Sequence, residues 1–288
     1  MILISVTFIS ASSVYAQAPA APGAPAAPPP VNSGAIKLTG GLDVPSVYYF
    51  RGIRQEVSPT VTLWPYGDVG ITLASADKGL KSVAVNFGVW NSLHTGSSGS
   101  KTFGKSMHYE EDFYGTLTLG WSAASLAAMY KAYSSPNQSY NTVKEIDFTL
   151  TGTHKYAPYV IVAQELNQTK GNFIVGADGG QKRGTYTELG VTPTWSMGPT
   201  TYSIPLSAGF SLKNYYEANG KDISKFGFFD AGGMITENFG GIPAKFGAWN
   251  VHGRVDYLRL SNGTMAVGVG TGTNKNKYVV LGGIGLSY

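Results

Sequence analysis

Cysteine is absent from the chain, which excludes disulfides, thiolate metal sites and a thiol nucleophile together. Charge is scarce as well: Asp, Glu, Lys and Arg make up 13% of the residues, against about 25% in an ordinary soluble domain. Beyond the first residues no apolar run approaches the roughly 18 residues of a membrane helix, so any crossing of a membrane falls to strands. The 21 basic and 17 acidic residues are dispersed, with no run that would mark a nucleic-acid face, and nucleic acid is excluded as a partner. The scattered His and acidic residues lack the spacing of a metal-ligand set. The Gly-rich pieces 176–180 and 268–272 lack the strand-to-helix setting of a phosphate cradle and read as flexible surface loop. No metal and no other cofactor is expected.

Glycine, by contrast, is abundant: 38 residues, about double its usual share. Residues 1–16, MILISVTFISASSVYA, join an apolar stretch to small residues at Val14 and Ala16, the pattern of a cleaved secretory signal. The basic segment that opens such signals is missing, which suggests a natural start further upstream; a buried N-terminal strand is the alternative. Residues 17–35, opening QAPAAPGAPAAPPP, favour polyproline II over helix or sheet and are expected to form a periplasmic linker.

From residue 36 to 288 the composition turns to Val, Ile, Leu, Thr, Tyr and Phe in alternating runs broken by Gly, Asn, Asp and Ser. Period two predicts strands: 36–51, 60–74, 81–93, 109–121, 125–134, 143–153, 158–167, 184–196, 201–213, 225–236, 246–260 and 277–288. Their connections alternate in length. SADKG (75–79), SAAS (122–125), HKYAP (154–158) and MGPT (197–200) are short, whereas 94–106, 167–184 and 261–277 are long and polar. Short turns at one end and long loops at the other are the mark of an outer-membrane barrel. The link 237–246 is longer than that scheme predicts. The expected fold is therefore all-β, a single antiparallel transmembrane β-barrel of about 12 strands with short periplasmic turns and long extracellular loops. Outer-membrane lipid, lipopolysaccharide and the outer-membrane assembly machinery are its expected partners; oligomeric state is not legible.

The two faces separate along individual strands. Trp249, Val251, Val255 and Tyr257 alternate with Asn250, His252, Arg254 and Asp256, and Phe113 and Leu117 alternate with Glu110, Asp112 and Thr116. An Arg near the bilayer midplane costs about 2–4 kcal/mol on the lipid face, so the polar series is expected to point into the barrel. A soluble β-sandwich would alternate too; against it, Trp121, Trp195, Tyr257 and Tyr278 fall at strand ends, where aromatic rings meet the headgroup layer. The expected lumen lining is Asp43, Asp68, Glu110, Asp112, Lys131, Glu145, Asp147, Glu188, Asp230, Asn250, His252, Arg254 and Asp256. Acids outnumber bases in this set, so a wet lumen would prefer cations. A packed lumen, with the acids paired and nothing passing, is the alternative.

The segment VYYFRGIRQE (47–56) resembles the "DYxFRGIS" signature of the TorF-like (Gcw_chp) family of outer-membrane porins, over roughly the first quarter of the mature chain. Val47 stands where that signature has an acidic residue, and Arg54 where Ser is common. The resemblance implies a barrel and a porin function without naming a solute. On the sequence, Arg51 and Arg54 are expected at the pore mouth, with Gly52 letting the chain turn; the alternative for Arg51 is a salt bridge pinning the loop to the barrel wall. The final strand, KYVVLGGIGLSY, ends on Tyr288 and resembles the signal by which barrel substrates are recognised for assembly. Finally, the four His residues form no Ser–His–acid pattern along the sequence, so the chain is not expected to be an enzyme.

Overall fold

The computed structural model describes residues 34–95, 107–166, 182–218 and 221–288. The expected signal peptide, nearly all of the linker, most of the loops 94–106 and 167–184, and the Gly-rich piece 176–180 lie outside the described residues. Twelve strands form the wall: β1 (Ile36–Pro45), β2 (Thr62–Ser75), β3 (Ser82–His94), β4 (His108–Gly120), β5 (Ala124–Ser134), β6 (Val143–Gly152), β7 (Tyr159–Glu165), β8 (Thr185–Val191), β9 (Leu206–Lys213), β10 (Phe226–Asn238), β11 (Ala248–Leu260) and β12 (Asn276–Ser287). Each pairs antiparallel with its sequence neighbours, and β1 pairs with β12 from Thr39↔Ser287 to Pro45↔Leu281, which closes the barrel. At the seam the amides of Leu38 and Tyr288 each donate to the other's carbonyl at 2.7 Å.

Two prolines interrupt the wall without opening it. The predicted strands 184–196 and 201–213 break at Pro193 and Pro205, and their outer pieces, Thr194–Met197 and Thr200–Ser203, pair with each other as a hairpin. Proline has no N–H for the ladder, yet its carbonyl still accepts. Ile204 donates to Pro193 at 2.9 Å and Gly232 to Pro205 at 2.8 Å, while Thr200–Ser203 continues the β9–β10 pairing. The link 237–246, long for its side of the barrel, holds a 3-10 turn at Ala244–Phe246, and β10 and β11 still pair as far as Asn238↔Asn250.

The distribution of side chains inverts that of a soluble protein. Phe113 and Val255 are each 52% exposed and Phe148, Val251 and Ile284 are exposed too, while Asp112, Lys131, Glu145 and Asp147 are 0–1% exposed. A sandwich buries the apolar face of each strand; this wall exposes it and encloses the charged one. The medium against the exposed face is lipid, and a closed barrel is the only sheet whose backbone groups are all paired there. The sandwich alternative is thereby excluded.

The first predicted strand, 36–51, is corrected by the structure. β1 stops at Pro45, and the chain folds into the lumen as a two-stranded hairpin, Tyr49–Phe50 against Ile53–Arg54. Its turn residues, Arg51 at φ 47° and Gly52 at φ 79°, give the two consecutive positive φ angles of a type I′ hairpin, which the twist of paired strands favours. Above it, the loop after β11 is not the loose surface loop expected of 268–272. It opens with α1 (Asn262–Val267), whose N-cap Ser261 and Thr264 form a capping box, and the amide of Val269 donates to the Arg54 carbonyl at 3.0 Å.

Candidate functional site

The hairpin brings its aromatic and charged side chains against most of the inner wall. Tyr48 donates to both oxygens of Glu110 on β4, at 3.0 and 3.1 Å. Phe50 meets the Tyr133 ring of β5 edge-on at 5.4 Å, and Gly52 lies so close to Phe228 of β10 that a Cβ would stand 2.8 Å from it. The hydroxyl of Tyr109 donates to Gln55 at 2.9 Å. A small cavity remains beside the hairpin, lined by Tyr48, Phe50, Gln55, Glu110, Tyr133 and Tyr140.

Arg51 occupies the centre. Its guanidinium donates to both carboxylate oxygens of Glu145, at 2.7 and 2.9 Å, and to the Tyr215 hydroxyl at 3.0 Å. Asp147 lies 3.5 Å away. The rings of Tyr186 and Phe50 face the guanidinium carbon at 4.3 and 4.9 Å. Two parallel N–H···O bonds to one carboxylate are the strongest geometry such a pair adopts. The Arg51 carbonyl in turn accepts from Tyr216 at 3.0 Å, so side chain and backbone are both held. Arg51, expected at the pore mouth or in a salt bridge pinning the loop, is buried and makes that salt bridge between the inserted loop and the wall. Arg54 sits nearer the surface, its guanidinium on the carbonyls of Gly270 and Val57.

Most of the remaining acids and bases expected on the inner face have polar partners. His252 bridges Asp43 at 2.9 Å and Asn250 at 3.0 Å. Arg254 donates to Asp256 at 2.8 Å and to Asp230 at 3.2 Å. Glu188 accepts from Tyr159 at 2.6 Å and from Tyr186, and Asp68 accepts from Asn86 at 2.8 Å. Lys131 is buried at 5.1 Å from the Tyr133 ring centre and pairs across the strands with Glu145. Asp112 is wholly buried and neither of its carboxylate oxygens has a hydrogen-bond partner.

A second cluster escaped the sequence reading. His94 Nε2 lies 2.7 Å from the Ser92 hydroxyl and 2.9 Å from Glu56 Oε1, with the Trp64 indole donating to Ser92 at 3.0 Å. Its composition is that of a hydrolase triad, but its geometry is not. A triad places the nucleophile and the orienting acid on opposite ring nitrogens, whereas here both meet Nε2 and the buried Nδ1 has no partner. Ser92 is fully buried and His94 stacks on Tyr109 at 4.3 Å, so the group props the wall beside the hairpin. The i, i+2 spacing of Ser92 and His94 on β3 was a visible signal; Glu56, from the segment after the hairpin, was not. Among the described residues no set of three or more His, Asp or Glu is placed to hold a metal.

No family model matches the chain, and no curated protein does. Several solved barrels are similar in structure. The NanC porin is 10% identical, with a TM-score of 0.39 over 88% of this chain and 99% of its own. The translocator domain of the autotransporter NalP from Neisseria meningitidis is 11% identical, with a TM-score of 0.41 over 89% of each chain. Outer membrane phospholipase A from Escherichia coli is 9% identical, with a TM-score of 0.38 over 87% of this chain and 92% of its own. It is the closed, even-stranded wall with its apolar exterior and charged interior that places the protein in the bacterial outer membrane.

Proposed function

We propose that the chain is a porin-type channel for small solutes, cation-preferring and not an enzyme, within the TorF-like family that residues 47–56 resemble. In this reading residues 1–16 direct export and are removed, 17–35 form a periplasmic spacer, and Tyr288 ends the strand presented to the assembly machinery. The supporting observation is the sign of the inner wall. Asp43, Asp68, Glu110, Asp112, Glu145, Asp147, Glu188, Asp230 and Asp256 are buried there, against Arg51, Lys131 and Arg254. A passage walled by low-dielectric sheet and lined by excess carboxylates concentrates cations and repels anions. The hairpin is then the constriction that such a solute has to pass.

A second reading, a non-conducting surface barrel that presents its loops for adhesion, draws on that same hairpin, which fills the lumen at its own level. Purified protein in planar bilayers distinguishes them. A channel gives discrete steps with a reversal potential on the cation-selective side, and the Asp112→Asn/Asp147→Asn double variant moves it towards zero. Folded protein that inserts silently, both as wild type and as Arg51→Ala, would sink the channel reading and leave the surface barrel.

A further inference from the structure

The surroundings of Arg51 are built beyond what a tether needs. A single carboxylate suffices to pin an arginine, and Glu145 already supplies both of its oxygens to the guanidinium. Around that pair stand a second buried carboxylate, Asp147, a phenol donor–acceptor, Tyr215, and the face of Tyr186. All four groups come from the wall and the segment after β9, not from the hairpin. Tyr133 further fixes Glu145 by donating to it at 2.8 Å, and the Tyr186 and Tyr215 rings brace each other at 4.9 Å. Asp147, 1% exposed, stands 3.5 Å from the guanidinium as a second carboxylate beside the bound cation. Planar carboxylate recognition combined with an aromatic face is the chemistry that selects guanidinium over compact ammonium ions.

We infer that Glu145, Asp147, Tyr186 and Tyr215 form a receptor site for guanidinium-bearing solutes, and that Arg51 is its tethered occupant. A free guanidinium compound and the hairpin compete for one site, and the solute that enters displaces the constriction from the wall. Because Arg51 is delivered by the chain itself, its local concentration is high, in the millimolar range for a short flexible tether and higher for a preorganised turn. An external ligand therefore binds weakly to the wild-type protein and more tightly once the arginine is removed. The binding stands on geometry alone; the assignment of guanidinium compounds as the transported class rests on the channel reading above.

The test uses the full chain folded in detergent, as wild type, Arg51→Ala and Arg51→Ala/Glu145→Gln. The probe is guanidinium chloride at millimolar levels, far below denaturing concentrations, with sodium chloride and tetramethylammonium chloride at equal ionic strength as controls. For Arg51→Ala the expected result is a rise in unfolding temperature specific to guanidinium. Half of the effect should be reached at a concentration about tenfold or more below that for the wild type. The added Glu145→Gln change should weaken the response about tenfold or more, because it removes a charge-assisted partner. In bilayers the same concentrations should block or reduce the Arg51→Ala current. A thermal response without any current in any variant supports the site and sinks the channel reading. No thermal response, or one equal for all three salts, overturns the site. If Arg51→Ala does not fold, Arg51→Gln is refolded with and without guanidinium: a yield raised by guanidinium and not by the control salts supports the proposal, and equal yields overturn it.

Discussion

At Gly52 two constraints fall on one atom position. Its φ of 79° lies in the left-handed region, and a Cβ built there would stand 2.8 Å from the Phe228 side chain. Gly198, at φ 63° in a turn on the opposite end of the barrel, has open space around it. Alanine at Gly198 therefore meets only the left-handed cost, about 1–2 kcal/mol, while alanine at Gly52 meets that cost and the clash with a ring closely packed inside the barrel. Unfolding of the two variants in urea, followed by the mobility difference between folded and unfolded barrel on gels, should show Gly52→Ala to be the less stable. Equal losses would mean that the hairpin tip is not seated against Phe228. The flanking Arg51 also takes a positive φ, 47°, which a branched residue adopts less readily. Arg51→Val should accordingly destabilise the barrel more than Arg51→Ala in the same assay, although both lose the ion pair with Glu145.

On a strand, the decisive property is which of two adjacent residues faces lipid. Val255 on β11 is 52% exposed and its neighbour Asp256 is buried. Val255→Arg places a guanidinium in hydrocarbon at a cost of about 2–4 kcal/mol if it sits near the midplane. His252→Gln, on the inner face, keeps a side chain able to hydrogen-bond Asp43. Folding into lipid vesicles across a denaturant series should shift markedly for the first variant and little for the second; the reverse order would mean that the faces are exchanged. This alternation is also why most of the wall was legible in the sequence. Polar and apolar residues on β4, β6 and β11 carry the period-two signal, and Glu110, Asp112, Glu145 and Asp147, which it groups on one face, are all buried. Legibility failed where local pattern and long-range contact part company. Residues 47–50 prolong the apolar run of β1, and although Pro45 marks a break in the ladder, nothing local says that the chain then turns into the lumen. What fixes the hairpin inside is Arg51 on Glu145, 94 positions away, and Tyr216 on the Arg51 carbonyl, 165 positions away. The same limit hid the site: Tyr215 lies in a connection, and only the closed fold brings it to Glu145.

The whole molecule depends on one seam. Eleven of the twelve wall pairings join strands that follow one another in the chain, whereas β1 and β12 bring its two ends together, with Leu42 opposite Ile284. Left unpaired, these two edges would expose N–H and C=O groups to hydrocarbon at several kcal/mol each, so an open sheet is not a membrane state of this chain. Because the sequence has no cysteine, the seam can be tested without background. Opposed residues on antiparallel strands have Cα atoms about 4.5–5.5 Å apart, within the span of a disulfide. Leu42→Cys/Ile284→Cys should therefore cross-link on mild oxidation in lipid, and the cross-linked chain should keep the mobility of the folded barrel. Leu42→Cys/Val280→Cys, four residues out of register and displaced by roughly 13 Å at about 3.4 Å per residue, should not. Cross-linking of both pairs would mean a seam that slides. Cross-linking of neither would mean that the ends do not meet, and an open wall could enclose neither the buried carboxylates nor the Arg51 cage.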